Sequence, residues 1–144
     1  MIAVDTNILV YAHRSDSPFH PKAKACLARL AEGPSGWAIP WPCLHEFLGV
    51  VTHPRVYSPP TPVTIAFAQV RAWAESRQLT LLTESAFYLD ELERIVVGGK
   101  IVGPRVHEAR IAALCLSHGV SELWSADRDF SRMAGLKTRN PLLD

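Results

Sequence analysis

Nothing in this sequence approaches the roughly 18 to 20 consecutive apolar residues that a membrane-spanning helix requires. The opening run Met1 to Val4 meets Asp5 before the core of a signal peptide could form, so the chain is expected to be cytoplasmic. Cysteine is scarce: Cys26, Cys43 and Cys115 are odd in number, lack CxxC spacing and sit among apolar neighbours. That excludes a disulfide framework or zinc knot and suits buried thiols in a reducing compartment. An excess of one sign of charge is also absent. Fifteen Lys+Arg face fourteen Asp+Glu for a formal +1, so binding to nucleic acid or an anionic membrane must be local rather than driven by a bulk field. Neither internal repeats nor low-complexity linkers occur. With 144 residues, 48% hydrophobic and 20% charged, the chain is expected to form one globular domain, residues 1–144, with one core.

What is present is a regular alternation of short apolar runs and helical patterns. Met1 to Val4, Trp37 to Ile39, Leu79 to Leu82, Leu123 to Ser125 and, more weakly, Leu136 to Arg139 read as strands. Helical spacing appears from Asn7 to Ala12, Ser17 to Ala31, Pro42 to Val51, Val63 to Ser76, Ser85 to Val96 and Arg105 to Ser117. The stripes of the helices over 18–31 and 63–76 are expected to face the core, as helix stripes do by default, with partner contacts as the alternative. Strands separated by helices throughout indicate an α/β fold. We expect a three-layer α/β/α sandwich around a mainly parallel sheet of four to five strands, its first strand central.

Four acids stand where solvent is not expected. Asp5 ends the first strand, Glu46 lies inside CLHEFLGVV, Glu108 opens VHEARIAALC, and Asp127 follows the strand LWS. Glu108 shares a helix face with Ile111, Ala112 and Cys115, and Glu46 with Cys43, Gly49 and Val50, so both carboxylates are expected to point inward. Residues just past the carboxyl ends of strands in an open α/β sheet meet at one crevice. Buried carboxylates that converge repel one another unless a cation or raised pKa values relieve them. With oxygen ligands and no His or Cys at zinc spacing, Mg²⁺ or Mn²⁺ is favoured.

Each position has an ordinary structural alternative. Asp5 suits the N-cap of the helix that follows, Glu46 and Glu108 are candidates for ion pairs with Arg or His, and Asp127 and Asp129 suit a turn. His45 and His107 precede two of the acids but face about 100° away on their helices, so they are not expected to be ligands.

Taken in order, the strand ending in DTN, the helical Glu46, the segment VHEARIAAL and the turn LWSADRDF resemble PIN-domain ribonucleases, particularly the VapC toxins of bacterial toxin–antitoxin modules. The resemblance runs from Met1 to the NPL at 140–142. It implies a metal-dependent endoribonuclease in which Asp5, Glu46, Glu108 and Asp127 bind one or two Mg²⁺ or Mn²⁺ ions. Thr6, Ser125 and Asp129 match residues that support such ligands. The family usually carries Asp where this chain has Glu108. The resemblance also implies an RNA substrate, a small antitoxin that blocks the site, and a homodimer.

Attack by water in line with the leaving group would leave a 5′-phosphate and a 3′-hydroxyl. Local positive charge is expected from Arg14, Arg105, Arg110 and Arg128, with solvation or pairing to nearby acids as the alternative. Lys100, in a glycine-flanked loop, and Trp41, Trp124 and Tyr57 are further candidates for contact with RNA, although an aromatic such as Trp124 in an apolar strand is more often core. Competing readings are a PIN-like binding module without catalysis and a phosphoacceptor receiver domain. The latter wants an acidic pair after strand one, where this chain has Asp5-Thr6-Asn7. An aspartyl phosphatase would need a second acid at Asn7 to donate a proton.

Overall fold

A computed structural model describes the backbone of residues 1–144 and the side chains of all but residues 131 and 132. Five strands, β1 (Ile2–Val4), β2 (Trp37–Pro40), β3 (Leu79–Leu82), β4 (Glu122–Trp124) and β5 (Lys137–Arg139), form one parallel sheet in the order β3-β2-β1-β4-β5. β1 is central, with Val4 in register with Trp124 and Ala3 with Ala38. β2 is buried along its whole length, and β1 and β4 over their last two residues. That accounts for their uninterrupted apolar sequence, since both faces of a parallel strand are covered. The edge strands β3 and β5 alternate with exposed residues instead.

Six helices cover the sheet: α1 (Thr6–His13), α2 (His20–Glu32), α3 (Trp41–Val51), α4 (Val63–Ala74), α5 (Tyr88–Gly98) and α6 (Val106–Ser117). α1 packs on α2 and α3, and α3 on α4, while α5 packs on α6. Both α3 and α6 rest on β2, which separates the two groups into the outer layers of a three-layer sandwich. The core contains Trp37, Phe47, Leu114, Leu123 and Phe130, each almost fully buried. Cys26, Cys43 and Cys115 are buried free thiols, as expected. No helix among the described residues is long and apolar enough to cross a membrane.

Two helices start later than their spacing suggests. The hydroxyls of Ser17 and Ser85 accept the backbone N–H two residues on, at Phe19 and Phe87, and these local turns delay α2 to His20 and α5 to Tyr88. α6 ends where Gly119 takes φ +68°, a left-handed conformation that a Cβ would strain.

α4 corrects an expectation. α2 turns its stripe inward by burying Ala23, Cys26 and Leu27, but α4 buries only Ala66 and leaves Val63, Ile65 and Phe67 about half exposed. The reason is its position: α4 packs chiefly on α3, with the Trp73 ring 4.9 Å from Phe47, and a helix held by one neighbour covers only part of its stripe.

β4 and β5 are also tied by charge. Burial alone would push the Glu122 carboxyl up, but Trp124 Nε1 donates to it at 2.7 Å and Lys137 Nζ lies 3.1 Å away, and these hold it below the usual glutamate range. A depressed carboxyl stabilises the fold above its unfolded pKa, and that contribution is lost as pH falls through the folded value. Glu122→Gln is therefore expected to flatten the acid limb of a Tm-against-pH curve, most visibly below the ordinary glutamate pKa. An unchanged limb would show that the pair contributes nothing.

Candidate active site

The chain leaves β1 toward β2 and β3 on one side, then returns to β4 on the other, so the strand order reverses between β1 and β4. Open α/β sheets form their crevice at such a switch point, beyond the carboxyl ends of the strands. Asp5 follows β1 directly, its N–H bonded to the Trp124 carbonyl at 2.9 Å, and Asp127 lies three residues past β4. A cavity of about 280 Å³ opens there and is lined by Asp5, Glu46, Glu108, Arg110, Asp127 and Tyr57, among others. The four acids singled out in the sequence thus meet at one cavity.

Asp5 is 5% exposed and does two things at once. It is the N-cap of α1, one oxygen accepting the Thr6 N–H at 2.8 Å. Its other oxygen accepts from Ser125 Oγ at 2.7 Å and Asn7 Nδ2 at 3.4 Å, while Cys43 Sγ donates weakly at 3.5 Å to the oxygen that caps the helix. Burial nevertheless pushes its carboxyl above the usual range. The bonds from Ser125, Thr6 and Cys43 oppose that shift, and the charge of Glu46 adds to it. The capping alternative is therefore correct and does not exclude a role in the site.

Ser125 links the two strand ends. It donates to Asp5, accepts the Asp127 N–H at 2.9 Å, and receives Asn7 Nδ2 at 3.3 Å. Asn7 adds a fourth tie by accepting the Ala126 N–H at 3.1 Å. Neither Asn7 nor Cys43 was assigned a role from sequence. For Asn7 the available signal was its place two residues after a strand-end acid; Cys43 looked like any buried thiol. The Thr6 hydroxyl donates to Glu46 Oε2 at 3.2 Å.

Glu46 requires a correction. It lines the cavity, but it is exposed rather than turned into the protein. α3 is apolar on nearly every face, so periodicity could not set the rotation of the helix, and Glu46 sits at the mouth of the cavity. Glu108 is half-buried, and its Oε2 is buried with no hydrogen-bond partner among the described residues. Asp127 caps a 3₁₀ turn by accepting the Asp129 N–H at 2.9 Å. Carboxylate oxygens of Glu108, Asp127 and Asp129 lie within 4.8 Å of one another, so the exposed Asp129 stands with the acids rather than behind them. None of Asp5, Glu46, Glu108, Asp127 or Asp129 forms an ion pair among the described residues.

The arginines divide. Arg14 pairs with Asp16 at 2.7 Å, donates to Thr61, and lies 4.2 Å over the Tyr57 ring, which makes it a support for that ring. Arg110 lines the acid cavity, its Nε buried without a partner among the described residues. Arg128 lines a neighbouring cavity, while Arg105 and Lys100 line neither. Trp124 is core, and Trp41 is partly exposed beside His45. Exposed His107 borders the acid cavity.

The PIN domain profile matches residues 2–136. The chain belongs to the PIN domain family. Among its relatives, Ribonuclease VapC48 of Mycobacterium tuberculosis is 31% identical over 137 residues, covering 95% of this chain and 94% of the relative. Ribonuclease VapC43 of the same species is 32% identical over 142 residues, covering 99% and 96%. Among solved structures, VapBC2 from Rickettsia felis, bound to a DNA fragment of its promoter, shares the fold of this PIN domain. It has a TM-score of 0.72 at 20% identity and covers 97% of this chain and 98% of its own. VapC20 of M. tuberculosis, described as a sarcin-ricin loop cleaving toxin, matches with a TM-score of 0.65 at 18% identity, covering 94% and 96%.

Proposed function

We propose that this PIN domain is a Mg²⁺- or Mn²⁺-dependent endoribonuclease and the toxin of a toxin–antitoxin module. The observation that carries the metal dependence is the buried Oε2 of Glu108, unpartnered among the described residues and set in a cavity with other carboxylates that form no ion pair among those residues. A buried charged oxygen without a donor is costly unless a ligand supplies the missing interaction. The all-oxygen donor set fits a hard divalent ion. Asp5, Glu108 and Asp127 would hold one or two ions, with Glu46 and Asp129 at the mouth. Such an ion supplies Lewis acidity at neutral pH, offsetting charge on the scissile phosphate and acidifying water.

The chain's own contribution is orientation and charge balance. Thr6 and Ser125 lock the Asp5 carboxylate from both sides, and Asn7 ties that pair to the start of the turn carrying Asp127. Arg110, with free donor capacity, is placed to meet a phosphate oxygen. Hydrolysis by water yields a 5′-phosphate and 3′-hydroxyl. The named VapC relatives and the VapBC structures support RNA as substrate and a small antitoxin as partner. The half-exposed apolar residues of α4 support pairing with a second copy of the chain. Purified protein is expected to cleave RNA with Mg²⁺ or Mn²⁺, to lose activity with a chelator, and to regain it on readdition, with fragment ends that accept ligation through a 5′-phosphate. Full cleavage under chelation, or 2′,3′-cyclic ends, would exclude the proposed chemistry.

A further inference from the structure

A second cavity, of about 400 Å³, adjoins the acid cavity and shares Asp127 with it. It opens where β4 and β5 end and is lined by Ser125, Arg128, Thr138, Arg139 and Asn140. We propose, resting on the ribonuclease reading above, that this groove holds the backbone of the RNA strand beside the scissile phosphate, with Arg128 and Arg139 as its phosphate contacts.

The acid cavity repels a polyanion, and the chain's formal +1 provides no bulk attraction, so cations beside the cavity must hold the strand. Arg14 is committed to Asp16 and Tyr57, and Arg105 lines neither cavity. Arg128 directly follows Asp127 and forms no ion pair among the described residues. Arg139, the last residue of β5, keeps 48% of its side chain exposed and is paired with the half-exposed Asp144. Asn140 spends its side-chain oxygen on the Leu142 N–H, leaving its amide hydrogens to donate. A groove of guanidinium forks and amide donors suits phosphate oxygens rather than base edges. The carboxylate of Asp144 competes for Arg139, so a bound strand would displace it.

Binding of a fluorescently labelled single-stranded oligoribonucleotide, followed by anisotropy at several salt concentrations in the Asp5→Asn background, reads this groove apart from cleavage. Arg128→Ala and Arg139→Ala are each expected to weaken binding roughly tenfold and to lower the salt slope by about 0.7. Asp144→Asn is expected to tighten binding by up to about fivefold, the range of an exposed ion pair. Arg77→Ala and Glu75→Gln, exposed beside the entry to β3 at the opposite sheet edge, should change neither quantity. Unchanged affinity and slope in both arginine variants would overturn the groove, as would equal losses from Arg77→Ala. Cleavage by the chain with native Asp5 separates the two ideas. Cleavage with indifferent arginine variants sinks the groove alone, whereas absent cleavage with weakened arginine variants sinks the nuclease reading alone.

Discussion

Asp5→Asn is expected to lower RNA cleavage by at least about a thousandfold while the protein stays folded. Asparagine keeps the oxygen that caps α1 through the Thr6 N–H. The amide that replaces the other oxygen no longer accepts from Ser125 Oγ and Asn7 Nδ2, and Ser125 Oγ, already accepting from Asn7 and Asp127, has no lone pair free for the amide hydrogens, so these contacts rearrange locally. What disappears is the negative charge at the floor of the cavity. Because burial holds the Asp5 carboxyl above its ordinary range, the folded protein already disfavours that charge. Relief of that charge offsets the bonds lost from Ser125 and Asn7, so the thermal transition should move little when no divalent ion is present. Cellular RNA ends mapped after expression of the native chain and of the variant, alongside circular dichroism of both, give the test. Fragments of equal abundance from the two proteins would remove Asp5 from the chemistry, and a lost fold would show that the cap matters more than the charge.

Much of this arrangement was legible in the sequence because parallel strands buried on both faces must be continuously apolar and must end where a polar residue interrupts them. Val4 to Asp5 and Trp124 to Asp127 are such interruptions, and the switch-point rule brings them together without knowledge of any side-chain contact. Rotation about helix axes was less legible. α6 alternates polar and apolar residues clearly enough to turn Glu108 toward the protein, whereas α3 is apolar nearly all round and concealed that Glu46 faces the cavity mouth. The exposed stripe of α4 was misread for a related reason: a period shows which residues share a face, but what covers that face depends on packing between distant segments. Contacts such as Cys43 to Asp5, between residues 38 apart, leave no local pattern to read.

Glu108→Gln separates the cost of the site from its use. In the native chain Oε2 of Glu108 is buried without a donor among the described residues, and a carboxylate oxygen of Glu108 lies close to those of Asp127 and Asp129, so the ion-free protein carries both desolvation and repulsion there. Glutamine has the same shape and no charge. Without divalent ions the variant is expected to melt at the same temperature as the native chain or above it. With Mn²⁺ the order reverses. An ion at a hundred times its Kd stabilises the native state by about 2.7 kcal/mol, which for a domain of this size raises Tm by about 8 °C. Most of that shift should vanish in the variant, together with at least about a hundredfold of the cleavage rate. Glu108→Asp, which restores the residue the resemblance leads one to expect, should keep the Mn²⁺ shift if the shorter arm still reaches the ion. A Mn²⁺ shift of native size in Glu108→Gln, measured by scanning fluorimetry, would mean that the unpartnered oxygen is not a ligand and that the ion rests on the remaining acids.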